Sequence, residues 1–199
     1  MPTYLALGDS YTIGEQVEPA VSFPYQLVQL LREQGIKFYA PEILAKTGWT
    51  TEELSAAIEK APLLARYDVV SLLIGVNDQY RGRSVNDFRT GFDHLLQKSI
   101  ELSGNCPGNV FVLSIPDWGI TPFAGSRDRE KISREINAFN IICKQDTTGA
   151  GAIFIDITQS QRLDGHKTEF LAPDGLHPSA IEYTKWAEIL VKKISSNNK

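Results

Sequence analysis

Cysteine is scarce in this sequence: Cys106 and Cys143 are the two present, too few for a disulfide framework. They also lack the paired spacing of a zinc site, so both read as buried or inert thiols. Basic runs never exceed a pair and the formal net charge is -4 at pH 7, which removes the electrostatic footprint that phosphate backbones require. Nucleic acid is therefore not an expected partner. No apolar stretch approaches the roughly 20 residues of a membrane span. A strand-like pattern starts at Thr3 and leaves no room for a secretory leader, so a cytoplasmic chain is expected. Repeats, low-complexity tracts and linker-like composition shifts are missing too. The polar tail 195–199 is expected to fray. Nothing in the sequence reports an oligomeric state.

What is present is enough apolar material, 42% of 199 residues, to bury one substantial core, and a single domain over 1–199 is expected. Short apolar runs alternate with helical periodicities from end to end, the pattern of an α/β fold with a largely parallel sheet. The strands fall at 3–7, 37–44, 69–74, 110–114 and 152–157, each bounded by Gly, Pro, Asn or Asp. Between them, Ser22 caps a helix carrying Leu27, Leu30 and Leu31 that stops at Gly35. Thr50 and Glu53 form a capping box, and Ser84 precedes Phe88, Phe92, Leu95 and Leu96. Ile132, Ile136, Phe139 and Cys143 share a helical face, as do Tyr183, Ala187, Leu190 and Ile194 in a last helix that starts near Pro178. Residues 158–173 show no clear period and read as a long loop.

In an open parallel sheet the reactive groups gather at the carboxyl ends of the strands. Gly8, Asp9 and Ser10 follow the first strand, Gly48 the second, and Gly75, Val76, Asn77 and Asp78 the third. Asp174, Gly175, Leu176, His177 and Pro178 come after the fifth. Taken in this order, the four blocks resemble the signature blocks of the SGNH (GDSL-type) hydrolase family, over nearly the whole chain. The resemblance implies a three-layer α/β/α flavodoxin-like sandwich whose five-stranded parallel sheet has the order 2-1-3-4-5. It also implies a site on Ser10, Gly48, Asn77, Asp174 and His177. Tyr11 stands where the first block commonly has leucine.

The chemistry of these residues fits acyl transfer. A serine hydroxyl needs a base, and of the three histidines only His177 has a carboxylate, Asp174, within a turn's reach to fix its tautomer. The Ser10 and Gly48 backbone N–H groups and the Asn77 amide would form the oxyanion hole. Asp9 and Asp78 read as structural, His94 and His166 as solvated or packing residues. Locally, each block also reads as a strand terminator, a turn or a helix start; it is their joint occurrence that argues for a site. The reaction needs no metal and no organic cofactor, and Gly8 to Gly14 supply only the outer glycines of a phosphate loop. Tyr11, Ile13, Trp49, Val76, Tyr80, Trp118, Phe123 and Leu176 are the candidate pocket residues for a small acyl ester. Their apolar character favours a simple acyl or aryl ester, with carbohydrate O-deacetylation and non-catalytic binding of a small ligand as the alternatives. Arg127, Asp128 and Arg129 read as a solvated helix start rather than as a site for a charged leaving group.

Overall fold

The computed structural model describes residues 1–197. Five parallel strands, β1 (Tyr4–Gly8), β2 (Glu42–Ala45), β3 (Val69–Leu73), β4 (Val110–Leu113) and β5 (Ile153–Ile155), form one sheet in the order β2-β1-β3-β4-β5. This is the order expected. The three central strands are buried at every position, because helices cover both faces of a parallel sheet. Ser71 is the polar exception in β3, and its hydroxyl pairs with the Tyr4 hydroxyl at 2.8 Å.

The helices are α1 (Ser10–Ile13), α2 (Phe23–Glu33), α3 (Thr51–Ile58), α4 (Val76–Tyr80), α5 (Val85–Leu102), α6 (Arg129–Gly149), α7 (Thr158–Asp164) and α8 (Ala180–Asn197). Helix α2 packs on α8, where Phe23, Tyr183, Trp186 and Tyr11 bring their rings together. Helices α3, α5 and α6 pack in succession, with Phe88 stacked on Phe139 at 4.2 Å between ring centres. Both aromatic clusters belong to one continuous core.

Local signals account for several boundaries. The capping box forms as expected: Thr50 accepts from the Glu53 amide, and Glu53 in turn accepts from the Thr50 amide at 2.8 Å. The Ser84 hydroxyl caps α5 through the Asp87 amide.

Three expectations need correction. The second strand begins at Glu42, not Lys37, because Pro41 has no N–H for the ladder and the Tyr39 amide is drawn to the Pro2 carbonyl. Residues 158–173 are not a plain loop: they hold α7 and a 3-10 turn at Thr168–Phe170. Helix α8 runs on through Ser195 and Ser196, whose hydroxyls bond Gln34 and the Lys193 carbonyl, so the expected fraying does not begin there; Asn198 and Lys199 lie outside the described residues. Among the described residues no helix is long and apolar enough to cross a membrane.

Candidate active site

Strand order decides where the loaded loops meet. With β1 between β2 and β3, the segments leaving these strands emerge side by side, at the point where the chain's progress across the sheet reverses. Ser10 is the first residue of α1, directly after β1. Asp9 caps this helix by accepting from the Tyr11 amide at 3.0 Å. The Ser10 amide is left at a position where a helix offers no carbonyl partner, aimed out of the helix end.

Gly48 follows β2 with φ of +84°, a conformation costly for any residue with a side chain. Its carbonyl accepts from Arg81 Nη2 at 2.6 Å, and Arg81 also pairs with Glu53 at 3.3 Å. Asn77 lies in the first turn of α4, and its Nδ2 donates to the Trp49 carbonyl at 2.9 Å. That bond uses one amide hydrogen and orients the other. Asp78 ties the two segments together, since its carboxylate accepts from the Thr51 amide at 3.0 Å and the Thr51 hydroxyl at 2.8 Å.

The fourth segment arrives from the far edge of the sheet. Gly175, at φ +66°, turns the chain so that Asp174 folds back on its successors. Oδ1 accepts from the Leu176 and His177 amides at 3.0 Å each, and Oδ2 lies 2.5 Å from His177 Nδ1. His177 Nε2 is 2.9 Å from Ser10 Oγ. Three side chains separated by up to 167 positions therefore make one hydrogen-bonded row. Burial raises the Asp174 carboxyl, but the bonds from the His177 ring and the two amides outweigh it and hold the group below its ordinary value.

The row opens into a cavity of about 210 Å³ lined by Ser10, Tyr11, Thr47, Gly48, Val76, Asn77, Tyr80, Trp118, Phe123, Leu176 and His177. Six of the eight candidate pocket residues are among these. Ile13 and Trp49 are not: Ile13 sits at the last turn of α1, and Trp49 packs against the core, presenting only its carbonyl to Asn77. Tyr11 both lines the cavity and packs beneath it, 5.5 Å from the His177 ring and 6.3 Å from Trp186. His94 and His166 are exposed and do not line this cavity.

Sequence reading missed the residues that hold the wall. The Trp118 indole donates to Gln79 Oε1 at 2.7 Å, and Gln79 Nε2 donates to Glu135 at 2.7 Å. Asp117, fully buried, accepts from Ser133 at 2.7 Å and from Arg162 Nε at 2.9 Å. The Phe123 amide donates to the Gly175 carbonyl at 3.1 Å, joining the aromatic wall to the turn that carries His177. Thr47 was missed as well. A signal existed for Arg81, four residues after Asn77 and so one helical turn further along the same face. The Asp117 and Arg162 pairing spans 45 residues and left no local trace.

Asp9 carries a pH dependence. Burial pushes its carboxyl up to about 8; the bond from the Tyr11 amide opposes this and the nearby Asp78 charge adds to it. The folded chain then keeps a proton that the unfolded chain releases near pH 4, so stability falls as pH rises from about 4 to 8 and levels off above. Asp9→Asn keeps the oxygen that caps α1 and cannot ionise. Its melting temperature is expected to match that of the parent near pH 4 and to exceed it by about 10–20 °C at pH 8. A constant difference across a pH series of melting curves would show that Asp9 is ionised in the folded protein.

The chain matches the model of the GDSL-like lipase/acylhydrolase family over residues 6–184. No significant match is found among curated proteins. Of solved structures, a lipase/acylhydrolase from Enterococcus faecalis superposes with a TM-score of 0.78 at 22% identity, covering 99% of this chain and 97% of that one. The crystal structure of TesA gives 0.75 at 18% identity, with 98% of each chain covered. A catalytic mutant of Axe2, an acetylxylan esterase from Geobacillus stearothermophilus, gives 0.74 at 19% identity, covering 97% of this chain and 94% of that one. At these identities the structural likeness speaks for the fold, whereas the sequence model spans nearly every element from β1 into α8. On that match, the chain belongs to the GDSL-like lipase/acylhydrolase family.

Proposed function

We propose that this chain hydrolyses carboxylic esters, or thioesters, through an acyl-enzyme on Ser10. The observation that carries the reading is the row Asp174, His177 and Ser10, with separations of 2.5 and 2.9 Å, at the wall of a partly enclosed cavity. Asp174 holds the proton on Nδ1, which leaves Nε2 free to take the Ser10 proton as Oγ attacks the acyl carbon. Negative charge collects on the former carbonyl oxygen. The Ser10 amide, the Gly48 amide and the second Asn77 amide hydrogen are its donors. His177 then protonates the leaving alcohol or thiol, and water repeats the sequence to release the acid.

The cavity favours a compact acyl group. About 210 Å³ walled by Val76, Leu176 and aromatic rings suits a short acyl chain or an aryl ester. A second reading, removal of acetyl groups from carbohydrate, draws on the half-exposed Tyr80 ring, a face on which a sugar stacks, and on the acetylxylan esterase among the similar structures. Nitrophenyl esters of graded chain length, run beside acyl-CoA and acetylated sugars, separate these substrates.

A fluorophosphonate probe tests the mechanism itself. Labelling is expected at Ser10, and an unlabelled chain points instead to a passive binder of a small ligand. Asn77→Ala is expected to lower kcat by about two to three orders of magnitude with little change in KM, since the amide acts on charge that develops only in the transition state. Near-parental kcat in steady-state assays would remove Asn77 from the oxyanion hole.

A further inference from the structure

The Arg127 guanidinium carbon lies 5.2 Å from the Phe123 ring centre, 5.7 Å from Trp118 and 6.0 Å from Tyr80, the three rings on one wall of the Ser10 cavity. Its Nη1 donates to the Phe123 carbonyl at 3.0 Å. Among the described residues no carboxylate pairs with it. Arg81, also beside this cavity, differs in that its charge is met by Glu53. Arg127 is thus an exposed cation without a counter-ion, fixed beside the cavity by ring contacts in a protein of net charge -4. Such a net charge repels anions at long range, so an anion is retained here only by direct contact.

We infer that Arg127 selects substrates whose leaving half carries an anion, a carboxylate or a phosphate, held outside the rings while the acyl half occupies the cavity. This rests on the ester hydrolase reading above. The division follows from solvation. A charge drawn between Val76, Leu176 and the aromatic rings loses water without gaining a counter-charge, whereas at Arg127 it stays partly hydrated and meets N–H donors in the fork geometry that matches both anions. The Phe123 carbonyl takes one of the guanidinium's five N–H donors, which leaves others for an acceptor.

The test compares the parent with Arg127→Gln on three acetates: phenyl acetate, 4-acetoxybenzoate and 4-acetoxyphenyl phosphate. For the charged esters kcat/KM is expected to fall about tenfold, mostly through KM, and the fall is expected to shrink in about 0.5 M salt. Phenyl acetate is expected to change less than about twofold, and Arg127→Lys to restore part of the loss. Whether the benzoate or the phosphate ester loses more identifies the anion preferred; loss on either one alone supports the inference for that anion. An equal fall on all three means that the guanidinium only braces the wall, and no fall on any means that it is a solvated charge. Either result overturns the inference and leaves the hydrolase reading standing. A parent chain that turns over none of the three and takes no fluorophosphonate overturns both.

Discussion

Ser10→Ala is expected to lower kcat on a simple aryl acetate by about six orders of magnitude, the scale of loss when a serine hydrolase is deprived of its nucleophile. The local structure tolerates the change. Asp9, not Ser10, caps α1, and the Ser10 hydroxyl bonds the His177 ring rather than any backbone group. Alanine is the best helix former, so the melting temperature is expected to stay within about 3 °C of the parent. Fluorophosphonate labelling is expected to vanish in the same preparation. Turnover above about one per cent in the folded variant would mean that some other group performs the attack.

Asp174→Asn is expected to cost about four orders of magnitude in kcat while leaving the fold intact. The reason lies in the two amides that share Oδ1. Leu176 and His177 both donate to it at 3.0 Å, so an asparagine here must keep its carbonyl oxygen on that side. Its Nδ2 then faces His177 Nδ1 in place of the carboxylate oxygen and donates to it. The ring proton moves to Nε2, the nitrogen that accepts from Ser10 in the proposed mechanism, and the proposed base is blocked. The loss is therefore one of tautomer, not of structure. Steady-state kinetics beside circular dichroism distinguish the two, and a variant with more than about a tenth of the parental kcat would show that Asp174 is dispensable for orienting the ring.

Much of this arrangement was legible in the sequence where the cause was local. The Thr50 and Glu53 box, the Ser84 cap and the apolar stripes of the longer helices depend on neighbours within a few residues, and the structure has them. The sheet order followed from the resemblance carried by the four blocks, and the meeting of the β1, β2 and β3 loops followed from that order. Short elements escaped. Helices α1 and α4, of four and five residues, hold too few positions to display a period, although Ser10 and Asn77 sit on them. Helix α7 has seven residues and was read as loop for the same reason. In the site, Ile13 and Trp49 were drawn into the pocket by adjacency to the blocks, yet which side of a short turn faces the cavity depends on packing that adjacency does not encode. The supports of the wall, Gln79 to Glu135 and Asp117 to Arg162, join residues 56 and 45 positions apart. The ring contacts of Arg127 escaped because Tyr80 comes from α4 and Trp118 and Phe123 from the segment after β4.

The single bond from the Phe123 amide to the Gly175 carbonyl sets a limit on redesign. Widening the cavity by exchanging the segment after β4 for a longer one would remove a strut from the hairpin bend that presents the imidazole, so selectivity and turnover should drift together in a library of such exchanges. Changes confined to the tips of Tyr80, Trp118 and Phe123 leave that strut in place, and they offer the route by which a new ester could be accommodated at undiminished speed.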